Sequence, residues 1–156
     1  LRTSTSLVLG RLTSALVHTV VLLLPVLAVV AIMVPGQATQ RGDEVEEQAL
    51  TASLDTLRLA IERYVDDHGG LAPDHRILDQ LASTTLVDGS PGATLGPYLH
   101  LGIPTNPVNG SAEIHLVTEM PLVPDGMTGW IFCLANCEVR ANVHGEGPTG
   151  TAYWLL

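Results

Sequence analysis

The chain is expected to fold as an α+β protein. A long N-terminal helix, apolar and then amphipathic and broken near Pro35–Gly42, would pack on a small antiparallel sheet of about three to four strands. Three observations carry this expectation. Ala15–Val34 is a continuous apolar run, Leu50, Leu54, Leu57, Ile61 and Tyr64 recur at steps of four and three, and three short β-type runs close the sequence.

Ala15–Val34 (ALVHTVVLLLPVLAVVAIMV) holds no acidic residue, Lys or Arg, and thirteen of its residues are Leu, Ile or Val. At a rise of ~1.5 Å per residue a helix of this length spans ~30 Å, the thickness of a bilayer core. At roughly −0.3 to −0.6 kcal/mol per large aliphatic residue, insertion is favoured by ~4 to 8 kcal/mol before His18 and Pro25 are counted against it. A cleaved signal peptide is the rival, with Gly36-Gln37-Ala38 as a small-x-small site, but the run exceeds the usual h-region. Retention of the segment is the expectation. Pro25 removes a helix bond and favours a kink. At Pro35-Gly36 the helix is expected to break, either as an ordinary stop or as a melted stretch that reconnects.

Charge is lopsided. Arg2 and Arg11 precede the apolar run, all 16 acidic residues follow it, there is no Lys, and the formal net charge is −9. The positive-inside rule puts the N-terminus in the cytoplasm and the head across the membrane. A head this acidic has no basic patch for phosphates, so nucleic acid is excluded as a partner. The domain reading is residues 1–41 as the membrane or filament-core segment and 42–156 as a globular head.

Within the head, Asp43-Glu44-Val45-Glu46 has the form of a capping box that would restart the helix at Asp43. The amphipathic helix is expected over 43–68, ending at Gly69-Gly70. Ala49, Ala52, Leu59 and Ala60 form a second face of small residues, read either as a contact for a neighbour or as plain helix propensity. Ala72-Pro73-Asp74 would start a short helix with Ile77, Leu78 and Leu81 facing inward. Residues 69–112 are otherwise loop, with Gly96-Pro97-Tyr98-Leu99 as a tight turn burying Tyr98. Strands are expected at Glu113–Val117, Gly129–Leu134 and Glu138–Val143, the last two joined by a hairpin at Ala135-Asn136. Tyr153–Leu156 would dock as a last strand or clasp.

Few residues propose chemistry. Cys133 and Cys137 flank the hairpin turn at disulfide-compatible spacing, and an extracytoplasmic head sits in an oxidising compartment. A structural disulfide is expected there, since C-x3-C in a hairpin is not a redox motif. His18 lies inside the apolar run, where it either seeks a polar partner on a neighbouring helix or snorkels to the interface. His68 and His75, near Asp66, Asp67 and Asp74, read as solvated loop residues, with a surface metal site as the alternative. Asp66, Asp67, Asp88 and Asp125 offer oxygens to calcium, but none lies in an EF-hand loop, so no cofactor is expected. Asn109-Gly110-Ser111 fits the glycosylation sequon. No P-loop, nucleophile elbow or convincing catalytic triad is present, and the chain is read as non-enzymatic.

Three segments together resemble a known family: AIERYVDDHGGLAP (60–73), GPYLHLGIPTNPVNG (96–110) and GWIFCLANCEVRANV (129–143), behind an apolar helix with Pro35 near its end. They are similar to type IV pilin-like proteins, and most of all to the major pseudopilins of type II secretion. The resemblance covers roughly Ala15–Val143. It implies a pilin-like fold and a structural subunit that forms a helical homopolymer. The helix would lie in the inner membrane before assembly, handled by pilus or secretion machinery, and in the core of an extracellular or periplasmic filament afterwards. His18, Leu23, Pro25, Val30, Pro35 and Gly36 are the expected assembly residues. The chain departs from the family at its start. The Gly followed by a Phe-Thr-Leu-Ile-Glu-like run is absent, Gly10 precedes Arg11, and His18 stands where the family carries a glutamate. The cysteine pair is not a general family feature. A single-helix membrane-anchored binding module with an extracytoplasmic head is the alternative.

Overall fold

The structure is a computed structural model that describes residues 41–156. The apolar run 15–34 and residues 35–40 of the expected break near Pro35–Gly42 lie outside the described residues, while Arg41 and Gly42, its last two positions, are already helical. The first described element, α1, covers residues 41–67. It is already helical two residues before Asp43, so Asp43 and Glu44 sit within its first described turn rather than capping it. The apolar stripe is what holds the helix down: Leu50, Leu54 and Leu57 are wholly buried, with Ala60, Ile61 and Tyr64 beside them. Gly69 terminates α1 at φ 65°, a conformation that costs a side chain strain. Gly70 N–H then donates to the Val65 carbonyl at 2.8 Å and Gly69 N–H to that of Asp66 at 3.3 Å, the paired bonds of a Schellman end.

The second helix, α2, is Ile77–Ala82. Ile77 and Leu81, four apart, face the core, whereas Leu78 is 45% exposed, against the expectation that it turns inward. A helix this short buries one narrow face, and Leu78 lies about 100° round from Ile77. Tyr98 also differs from expectation. Leu99 enters the core, while Tyr98 stays half-buried and donates its hydroxyl to Asp67 at 3.0 Å.

Three strands follow: β1 (Ile114–Val117), β2 (Trp130–Cys133) and β3 (Val139–Ala141), in that spatial order. β2 and β3 form the expected antiparallel hairpin, with Trp130 opposite Ala141 and Phe132 opposite Val139. β1 pairs with β2 in parallel, with Ile114 opposite Trp130 and Val117 opposite Cys133. The sheet is therefore mixed, not antiparallel, and the fold expected above is corrected on this point. The physical cause is the connection. Residues 118–129 do not turn back as a hairpin but cross over one face of the sheet, where Leu122 is buried on Ile131 and Cys133. The fold is corrected on its helix as well. The helix shown is 41–67, and no helix among the described residues is long and apolar enough to cross a membrane.

β2 is buried at all four positions because it is sandwiched. Trp130 and Phe132 join Leu50, Leu54, Leu57 and Tyr64 on the α1 side, and Ile131 and Cys133 meet the crossover. The tail does not form a strand. Tyr153–Leu155 is a single 3-10 turn against β3. It is clasped by Arg58 of α1, which donates to the Leu156 carbonyl at 2.9 Å, and by Arg140, which donates to that of Trp154 at 3.2 Å.

Candidate functional site

Two groups of residues were singled out by sequence, and they fare differently. His18, Leu23, Pro25, Val30, Pro35 and Gly36 lie outside the described residues. Cys133 and Cys137 are described. Cys133 closes β2 and is fully buried; Cys137 is half-buried and held at φ 61°. Cys137 N–H donates to the Cys133 carbonyl at 2.9 Å and Cys133 N–H to that of Glu138 at 2.8 Å, so one tight turn carries both residues. Both are free thiols here, and burial, with Cys133 adjacent, pushes the Cys137 thiol above its ordinary range.

Several of the histidines and aspartates considered for metal have partners within the fold. His68 is buried, not solvated: its Nδ1 donates to the Tyr64 carbonyl at 2.7 Å and its Nε2 pairs with the Thr85 hydroxyl at 2.9 Å. Its ring stacks on Tyr64 with centroids 3.8 Å apart, and Tyr98 meets Tyr64 edge-on at 5.6 Å. His75 stays exposed, so the two histidines are not brought together. The Tyr64 hydroxyl at the centre of this cluster has no hydrogen-bond partner, and burial raises its pKa. Asp88 accepts from the Ser90 amide and hydroxyl, and Asp67 from Tyr98. Among the described residues, no three His, Cys, Asp or Glu side chains are grouped to hold a metal ion.

The polar centre that sequence reasoning missed is Asn142. It has no exposed surface, yet both ends of its amide are used. Its oxygen accepts from the Asp125 and Gly126 amides at 2.8 and 3.3 Å; its nitrogen donates to Asp125 Oδ1 at 2.6 Å and Thr128 Oγ1 at 2.8 Å. Asp125 then accepts from the Met127 amide and pairs with His115 at 3.2 Å. The Met127 amide first, then Asn142, hold its carboxyl below the usual range. A single buried amide thus pins the crossover to β3. Asn106 does the same at the other end, donating to the Gly129 carbonyl at 2.7 Å, while Trp130 Nε1 reaches the Pro104 carbonyl at 2.8 Å.

Asn142 and Asn106 are fully hydrogen-bonded, whereas the buried Tyr64 hydroxyl and Glu47 Oε2 have no hydrogen-bond partner among the described residues. No protein-family model matches the chain, and neither do the curated proteins or the solved structures compared with it.

Proposed function

We propose that the chain is a non-enzymatic structural subunit of an extracytoplasmic helical filament, of the type IV pilus or type II secretion pseudopilus kind. It would assemble with copies of itself through the apolar segment Ala15–Val34. Before assembly that segment sits in the inner membrane with the head outside; afterwards like segments bury one another, and the head faces outward from an extracellular or periplasmic polymer. Pilus or secretion machinery would extract it.

The observation that carries this reading is the second face of α1. The stripe from Leu50 to Tyr64 is used up on the sheet. Of the second face read from the sequence, Ala49, Ala52 and Leu59 (45%) are exposed and Val45 (64%) joins them, whereas Ala60 turns into the core beside Ile61 and does not belong to it. A lone head gains nothing from that face, whereas a neighbouring copy would cover it. The sequence adds the driving force. At ~25 cal/mol per Å² of apolar surface removed from water, packing of Ala15–Val34 against its like is ample to hold a polymer once lipid is left behind. Cys133 and Cys137 would join as a local staple in an oxidising compartment.

The test is electron microscopy of material sheared from cells. Wild-type chain is expected in filaments. Leu23→Asp and Val30→Asp are expected to abolish them while circular dichroism of the purified protein keeps its head signature. Filaments that persist in both variants, or a wild-type chain that is a dispersed single molecule in detergent and at the cell surface, would overturn the proposal.

A further inference from the structure

The sheet ends on one side in an open edge. β3 is covered by the Tyr153–Leu155 turn. β1 is not covered in this way. Trp130 N–H donates to the Glu113 carbonyl at 3.1 Å and Leu134 N–H to the Val117 carbonyl at 2.9 Å, so the odd-numbered residues of β1 turn their backbone toward β2. Ile114 and Leu116 therefore aim N–H and C=O away from the sheet, and no described residue's backbone or side chain bonds to them there. Such a row of free groups is a template for one more strand. β1 has no Pro and no Lys within it, so its shortness, four residues, is the one guard it carries against pairing.

The surroundings are apolar and acidic. Ile114 and Leu116 are only half-buried on the α1 side, and Val117 half-buried on the crossover side, so each has surface left to cover. The crossover that leaves the end of β1 exposes Met120 (49%), Val123 (70%) and Met127 (81%). From Ile77 to Val139 there is no Lys or Arg, against Asp79, Asp88, Glu113, Glu119, Asp125 and Glu138. Asp125 is engaged by His115 and Glu138 by Arg140. Glu113 and Glu119, exposed before and after β1, have no ion-pair partner among the described residues.

These charges choose the occupant. Two copies laid edge to edge antiparallel would bring Glu113 of each toward Glu119 of the other; laid parallel, Glu113 would meet Glu113. Like charges opposed across a sheet repel. We propose that the β1 edge is a docking site for an extended, cationic segment of another protein, added as a fourth strand. Its Arg or Lys residues would lie at the two ends of the added strand, opposite the exposed Glu113 and Glu119 that flank β1, with β-branched residues between them. The site lies in the head and is separable from polymerisation.

The test uses the full chain in detergent and a fluorescent peptide of alternating Val and Thr between terminal Arg residues. Binding is expected to saturate, to weaken with salt and to protect the Ile114 and Leu116 amides from hydrogen exchange. Leu116→Pro deletes an outward N–H that β2 does not use and is expected to weaken binding about tenfold. The exposed double variant Glu113→Gln/Glu119→Gln keeps the edge and is also expected to weaken binding. Absence of saturable binding, binding without protection at Ile114 and Leu116, an unchanged affinity in the double variant, or equal binding of a Glu-ended peptide or of a peptide copy of residues 113–119 would each overturn the proposal.

Discussion

A few single positions hold the head together, and they are not the chemically reactive ones. Gly129 is the sharpest case. A Cβ there would collide with the backbone carbonyl of Ser111, which cannot move because its oxygen accepts from Asn106 N–H at 2.9 Å. Gly129→Ala is therefore expected to cost about 3 kcal/mol or more, read by urea unfolding, although its backbone conformation is open to any residue. Asp74 gives the head its acid sensitivity. Arg76 donates to both its oxygens, and this bond first holds its carboxyl at about 2 instead of 3.8. The folded state therefore releases this proton more readily than the unfolded chain does. The stabilisation is in place above the ordinary value of 3.8 and is lost as pH falls toward about 2. Thermal melts across that window are expected to fall less steeply in Asp74→Asn. The gain is small in absolute terms, because Asp74 is 40% exposed and water screens the pair. His68 teaches the converse lesson. In the sequence it is a polar residue beside two glycines; folding places it under Tyr64 and against Thr85, a partner seventeen residues away.

At the scale of elements, α1 was readable and β1 was not. The four-and-three spacing from Leu50 to Tyr64 names the buried face, and every residue in it is buried. Leu54→Ala is expected to destabilise the head by about 2–5 kcal/mol, because it opens a cavity under a packed helix. Leu59→Ala, on the exposed face, is expected within about 0.5 kcal/mol in the same melt. If the two variants melt alike, the assignment of faces is wrong. The hairpin of β2 and β3 was legible too, since its turn is local. β1 was placed correctly along the chain but with the wrong partner direction. Alternation in Glu113–Val117 says that a strand forms, not which way its neighbour runs. The clue lay in β2, where Trp130-Ile131-Phe132-Cys133 is apolar without alternation. A strand of that kind is covered on both faces, which requires something to cross over the second one.

For the whole molecule, the sequence separates an apolar N-terminal run from an acidic head. The head is a three-stranded sheet packed on α1, with α2 and the Tyr153–Leu155 turn completing the core. Its aromatic content of 4% in the full chain leaves little bulk for a core, so most of its apolar burial is concentrated on α1 and β2. Polar residues supply much of the remaining definition, through Asn106, Asn142, Gln80 and His68. The Leu23→Asp and Val30→Asp variants test the function proposed above, under which a charge in the apolar run stops assembly and leaves the head folded.

Local chemistry was enough to read the buried stripe of α1 from Leu50 to Tyr64, the Gly69-Gly70 stop and the turn between β2 and β3. Each follows from spacing or residue type within a few positions. The parallel pairing of β1, the outward turn of Leu78, the burial of His68 and the amide of Asn142 as the tie between crossover and sheet were decided only in three dimensions. Each depends on residues brought together from distant parts of the chain, and periodicity carries no information about which distant backbone a strand or a buried amide will meet.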